Sequence, residues 1–226
     1  MQRRTALMSL AALLVAPTAH AQSDDLRPRT PAAAAASSDP VDLSGADRDQ
    51  ALAKANTALN ALQRLQGRFT QTSPNHSVST GAFYLQRPGK VRFEYDPPAT
   101  LLIISDGSVV SMRNSAMRTT DRTPLRSTPL NMILKSQVDL TRDAHVTRVA
   151  RWGQWTLISV TDPAGHVDGR LTLFFFGDNF DLRCWDVTDV TGSRTRVMLS
   201  DVTQPASLDS ALFRLDDMIS RGHGRN

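Results

Sequence analysis

Gly81-Ala-Phe-Tyr-Leu-Gln-Arg-Pro-Gly-Lys-Val-Arg-Phe-Glu-Tyr95 reads as two strands joined by a tight turn. Val91, Phe93 and Tyr95 alternate with polar neighbours and so share one face of a strand. Arg87-Pro88-Gly89-Lys90 has Pro at the second turn position and Gly at the third, the type II signature. Downstream, Leu101–Ser105 and Ser108–Met112 flank Asp106-Gly107, a hairpin signal. Upstream, Phe69–Thr72 is a further short strand. Five more follow in the second half, near 144–151, 154–161, 169–176, 180–189 and 193–201. Their turns hold Gly153, Asp162-Pro163-Ala164-Gly165 and Gly177-Asp178-Asn179. Ala211-Leu-Phe213 closes the pattern.

Two helices interrupt the strands. From Asp47 to Gln66, Leu52, Ala55, Leu59, Leu62 and Gln66 keep helical spacing, and Gly67 is expected to stop the helix. Ser44 with Asp47 resembles a capping box. Arg48, Asp49, Lys54, Asn56, Asn60 and Gln63 form the expected outer face. Thr128-Pro129 should open a second, short helix running to Lys135, with Thr as N-cap and Pro at N1. Ten short strands with two inserted helices predict a mainly β fold, a curved antiparallel sheet or open barrel.

The ends of the chain read differently. Arg3-Arg4, the apolar run from Thr5 to Ala16, and Ala19-His20-Ala21 make a secretory signal peptide over 1–21, cleaved after Ala21. The paired arginines leave twin-arginine export open beside the general route. Residues 22–44 are rich in Ala, Pro, Ser and Asp, with few large apolar side chains, and are expected to form a disordered tether. One folded domain is left over 45–226.

Composition excludes more than it assigns. Net charge is +4, from 26 basic and 22 acidic side chains, too balanced for a nucleic-acid partner. The lone Cys184 can form neither an internal disulfide nor a cysteine zinc site, and reads as a small apolar packing residue. His76, His145, His166 and His223 lack metal-ligand spacing. No nucleophile elbow, phosphate-binding glycine loop or Ser-x-x-Lys occurs. Nothing argues for an enzyme or a cofactor.

Phe69-Thr-Gln71, Gly81-x-Phe83, Arg87-Pro-Gly-Lys90 with Tyr95, Ser105-Asp-Gly107, the segment 128–133 and Leu212-Phe213 resemble the LolA family, the periplasmic outer-membrane lipoprotein carriers. The resemblance spans roughly Asp47 to Leu215 and rests on the order and spacing of individually weak motifs. It implies an unclosed antiparallel β-barrel covered by helices around an apolar cavity. It also implies a carrier of lipoprotein acyl chains in the periplasm, moving cargo from inner to outer membrane as a monomer. The implied partners are acylated lipoproteins, an inner-membrane ABC-type releasing complex, and an outer-membrane acceptor or the outer membrane itself. Within it, Arg87 would contact the lid and govern release. Leu59, Leu62, Val91, Phe93, Tyr95, Leu130 and Ile133 would line the cavity. A sensor or binding module of the same fold, for lipoproteins or other hydrophobic ligands, is the alternative.

Overall fold

The computed structural model describes residues 39–165 and 167–215. The expected signal peptide, the segment 22–38, His166 and His223 lie outside the described residues. Strand β1 (Val41–Asp42) leads into helix α1 (Gly45–Ala61). An antiparallel run follows: β2 (Arg64–Thr72), β3 (Val78–Gln86), β4 (Lys90–Tyr95), β5 (Leu101–Asp106), β6 (Val109–Asn114) and β7 (Thr119–Pro124). A single 3-10 turn (Leu125–Ser127) and the short helices α2 (Asn131–Leu134) and α3 (Leu140–Asp143) connect to the second run. This run holds β8 (His145–Trp152), β9 (Trp155–Thr161), β10 (Arg170–Phe176), β11 (Asp181–Thr188) and β12 (Arg194–Thr203). A 3-10 turn at Ser210–Phe213 ends the description of regular structure.

The twelve strands form one sheet in the order β1-β8-β9-β10-β11-β12-β2-β3-β4-β5-β6-β7. It does not close: β1 and β7 stand at opposite ends. The two runs meet where β12 pairs with β2, with Leu199 opposite Phe69 and Val197 opposite Gln71. One face buries Phe69, Phe83, Ile158, Leu171, Leu173 and Phe175. Helix α1 packs there through Ala51, Leu52, Ala55 and Leu59. Each fully buried Leu contributes roughly 1.5–3 kcal/mol, and the alanines let the helix sit close to the sheet. Among the described residues, no helix is long and apolar enough to cross a membrane.

Several sequence expectations change. Helix α1 ends at Ala61 instead of Gln66, because Leu62 leaves the helical region (φ −82°, ψ 79°). Residues 64–72 instead pair along β3, and Leu65 is buried as a strand residue opposite Leu85. Gly67 is therefore no helix stop. It lies inside β2, where a Cβ would stand 2.7 Å from the Ser200 carbonyl oxygen and 2.9 Å from Phe83 Cε1. Glycine is there for close backbone approach. Ser44 does precede α1 in extended geometry, but its side chain makes no cap hydrogen bond, so the capping box does not form. The second helix shrinks to Asn131–Leu134, since the Thr128 hydroxyl donates back to the Leu125 carbonyl (2.8 Å) and finishes the 3-10 turn.

Three elements carry too little apolar signal to be foreseen. They are the exposed edge strand β7, the four-residue α3, and β1, which pairs Val41 with Arg151 and Asp42 with Ala150. Ordered backbone thus begins before residue 45. The Arg87–Lys90 turn carries Gly89 at φ 73°, and a Cβ there would meet Gly107 Cα at 2.7 Å. The two turns at this end of the sheet are pressed together.

Candidate functional site

A small apolar cavity lies between the sheet and the helices. Leu59 and Leu62 reach it from the C-terminal end of α1, and Leu130, Ile133 and Leu134 from the α2 segment. Val91 and Phe93 are its floor on β4, two residues apart as the pleat requires. These strands add Phe83 and Leu85 from β3, and Leu65 and Leu199 from the β2–β12 junction. Leu182 and Trp185 complete the wall from β11. Phe93 stands at the centre of an aromatic group, edge-on to Phe69 (5.1 Å between centroids) and to Trp185 (6.2 Å), and stacked on Phe83 (6.2 Å).

Six of the seven expected cavity residues, Leu59, Leu62, Val91, Phe93, Leu130 and Ile133, face this space. Tyr95 does not. Its ring packs edge-on against Phe69 (4.9 Å) and its hydroxyl donates to Gln71 Oε1 (2.7 Å). Burial pushes its phenol pKa upward. Tyr95 belongs to the core beside the cavity because that hydrogen bond turns the ring toward β2.

Arg87 is the charged member of the lining. It follows β3 and is 8% exposed. Its backbone N–H donates to the Gln63 carbonyl (2.9 Å), just beyond α1. Its Nη1 donates to the Lys135 carbonyl (3.3 Å), just beyond α2. Two residues on, the Gly89 N–H donates to the Leu134 carbonyl (2.8 Å). Helix C-termini leave carbonyls without intrahelical partners, and this turn supplies donors to those of α2. One tight turn therefore fastens the ends of both helices over the cavity. Burial lowers the Arg87 pKa to about 10, so the guanidinium stays charged at neutral pH.

A second fastening joins α1 to the segment before α3. Asn60 Nδ2 donates to the Val138 carbonyl (2.9 Å) and Asn60 Oδ1 accepts from the Val138 N–H (2.8 Å). Asn56 Oδ1 accepts from the Leu140 N–H (2.9 Å), and its Nδ2 donates to Asp139 Oδ1 (3.2 Å). Both asparagines were expected on the solvent face. They are half-buried, because the segment 136–140 lies along that side of α1 and has backbone groups to satisfy. The Thr141 hydroxyl (2.6 Å) holds the Asp139 carboxyl below the usual carboxylate range. Lys135 and Arg142 both pair with Asp143, at 3.3 and 3.1 Å.

Cys184 is buried on β11, and burial raises its thiol pKa to about 12, so it is inert.

Residues 60–216 match the family described as outer membrane lipoprotein carrier protein LolA. An outer-membrane lipoprotein carrier protein of Leptothrix cholodnii is 27% identical over 154 residues, which cover 64% of this chain and 70% of that one. Among solved structures, the chain is similar to a LolA superfamily protein of Nitrosomonas europaea (TM-score 0.43, 12% identity, 73% of this chain and 98% of that one). It is also similar to a chain of the Pseudomonas aeruginosa MucA/MucB complex (TM-score 0.40, 15% identity, 75% and 61%). The family match takes in every strand from β2 to β12 and the whole helical segment between β7 and β8, and the chain belongs to the LolA family of outer membrane lipoprotein carrier proteins.

Proposed function

We propose that the protein is a periplasmic carrier that takes lipoprotein acyl chains into the cavity and moves lipoproteins from the inner to the outer membrane. Residues 1–21 direct export, and the segment from 22 tethers the domain. The observation that carries this reading is an apolar cavity roofed by α1 and α2, with the roof fastened by three hydrogen bonds from one turn. Burial is worth about 0.8 kcal/mol per methylene, so a bare 16-carbon chain in water costs on the order of 12 kcal/mol. A lipoprotein with several chains needs that surface covered throughout its passage.

The roof bonds give the cycle its reversibility. Acyl chains that lift α2 break Arg87 Nη1 to Lys135 O and Gly89 N–H to Leu134 O. Each is worth about 1 kcal/mol net, small against the burial of a chain. Their return on emptying favours release to an acceptor. Cargo arrives from an inner-membrane ATP-driven complex and leaves to an outer-membrane acceptor or the membrane itself.

The test is recovery of the mature protein from periplasm, followed by identification of bound acylated proteins. The carrier reading expects lipoproteins. Small apolar molecules with no lipoprotein would overturn it in favour of a sensor or binding module. A second arm measures hand-over by Arg87→Leu, which should fold and load but release cargo slowly. Release at the wild-type rate would remove Arg87 from that role.

A further inference from the structure

The Arg87 guanidinium has a donor that the roof does not use. Nη1 serves the Lys135 carbonyl, but Nε is buried and has no hydrogen-bond partner. Among the described residues, it is the buried side-chain nitrogen or oxygen of which this is true. Arg87 is also more than nine-tenths buried and lines the apolar cavity. A buried unpaired N–H is destabilising, and charge raises the penalty. A water there would need two to four polar partners. The Trp185 indole apart, the other lining side chains offer it none.

Esterified acyl cargo differs from plain hydrocarbon at its ester group, and from the matching ether at the carbonyl oxygen. An ester carbonyl is a neutral, compact acceptor that fits beside apolar walls and completes a charge-assisted hydrogen bond. A methylene chain leaves the donor orphaned. We infer that Arg87 Nε reads the ester carbonyl of a bound acyl chain, so that the cavity selects acylglyceryl groups over hydrocarbon and fixes how deeply a chain sits. This rests on the proposal that the cavity holds acyl chains. Two sources carry this carbonyl, the diacylglyceryl group of a lipoprotein and a glycerophospholipid.

The experiment is displacement of an apolar fluorescent dye from the mature chain. The competitors are a diacylglyceryl-cysteine lipopeptide, its dialkyl ether counterpart, and a short-chain phosphatidylethanolamine in ester and ether forms. The ester lipopeptide should bind roughly tenfold more tightly than the ether. In Arg87→Leu that preference should fall to near unity, whatever happens to affinity overall. Arg87→Met gives the same reading should the leucine variant not fold. Equal binding of ester and ether by the wild-type chain overturns the carbonyl role while leaving the carrier role intact. An ester preference with phospholipid alone upholds the carbonyl role and overturns the lipoprotein cargo. No displacement by any competitor overturns both.

Discussion

Asn60 holds both backbone groups of Val138, donating to its carbonyl at 2.9 Å and accepting from its N–H at 2.8 Å. A side-chain amide so placed does the work of a neighbouring strand for one residue. Asn56, one turn earlier on α1, does half as much for Leu140. The segment before α3 is thus bonded to α1, the helix that packs on the sheet.

Asn60→Ala should leave the Val138 N–H and carbonyl unpaired where the residue is 2% exposed. The local cost is about 1–3 kcal/mol. Amide hydrogen exchange should accelerate at 138–140 by roughly tenfold or more, with β9 and β10 unaffected. Unchanged protection at Val138 would mean that another group carries this contact.

The same fastening should fail in acid. Thr141 holds the Asp139 carboxyl low, aided by the Thr141 and Arg142 N–H groups. A carboxyl lowered in the folded state contributes stability that is complete above its unfolded pKa and lost as pH falls through the folded one. Dye binding and amide protection factors at 138–143 should therefore be flat from about pH 5 to 8 and change only below about pH 4. A transition near neutrality would point to a group other than Asp139.

Trp185 reports on the cavity. The other two tryptophans are not lining residues: Trp152 is 46% exposed, and Trp155 packs edge-on to Phe176 (4.9 Å). With Trp152→Phe and Trp155→Phe in place, emission comes from Trp185 alone. Addition of an acylated lipopeptide should shift that emission saturably. A silent Trp185 alongside measurable binding would move the acyl site elsewhere.

Gly81 tolerates no side chain. A Cβ there would stand 2.2 Å from the Glu94 carbonyl oxygen and 2.5 Å from Phe69 Cε1, and Phe69 is 1% exposed. Gly81→Ala must push apart β3 and β4 or displace a core ring, so Tm should fall by roughly 5–10 °C. A change within about 1 °C would contradict that packing.

What the sequence discloses depends on how regular each element is. Val91 and Phe93 obey the strand period and so share a face, while their place in the cavity, like that of Leu130 and Ile133, follows from the family resemblance. Leu182 and Trp185 obey neither, because the pairing of β10 with β11 slips between Phe174 and Phe175 and leaves Arg183 as an extra residue. The bulge brings two side chains three apart onto one face. Leu65 fits a helical stripe and a strand equally well, and only pairing with β3 decides between them. The sequence pattern puts Asn56 and Asn60 on the solvent face because amphipathicity sorts apolar from polar and cannot see a backbone in need of partners. For Arg87 the sequence predicts an extended residue before proline. Its burial and its orphaned Nε come from tertiary packing.

The order of the strands also limits how the cavity can open. The segment 125–144 leaves from β7, the last strand on one side, and returns to β8, which has only the two-residue β1 beyond it on the other. It is a strap buckled at both margins of the gap, so it cannot swing aside like a flap on one hinge. It can only bow outward at its middle, drawing slack from the unwinding of α2 and α3. Helices of four residues each give up that slack with few hydrogen bonds broken.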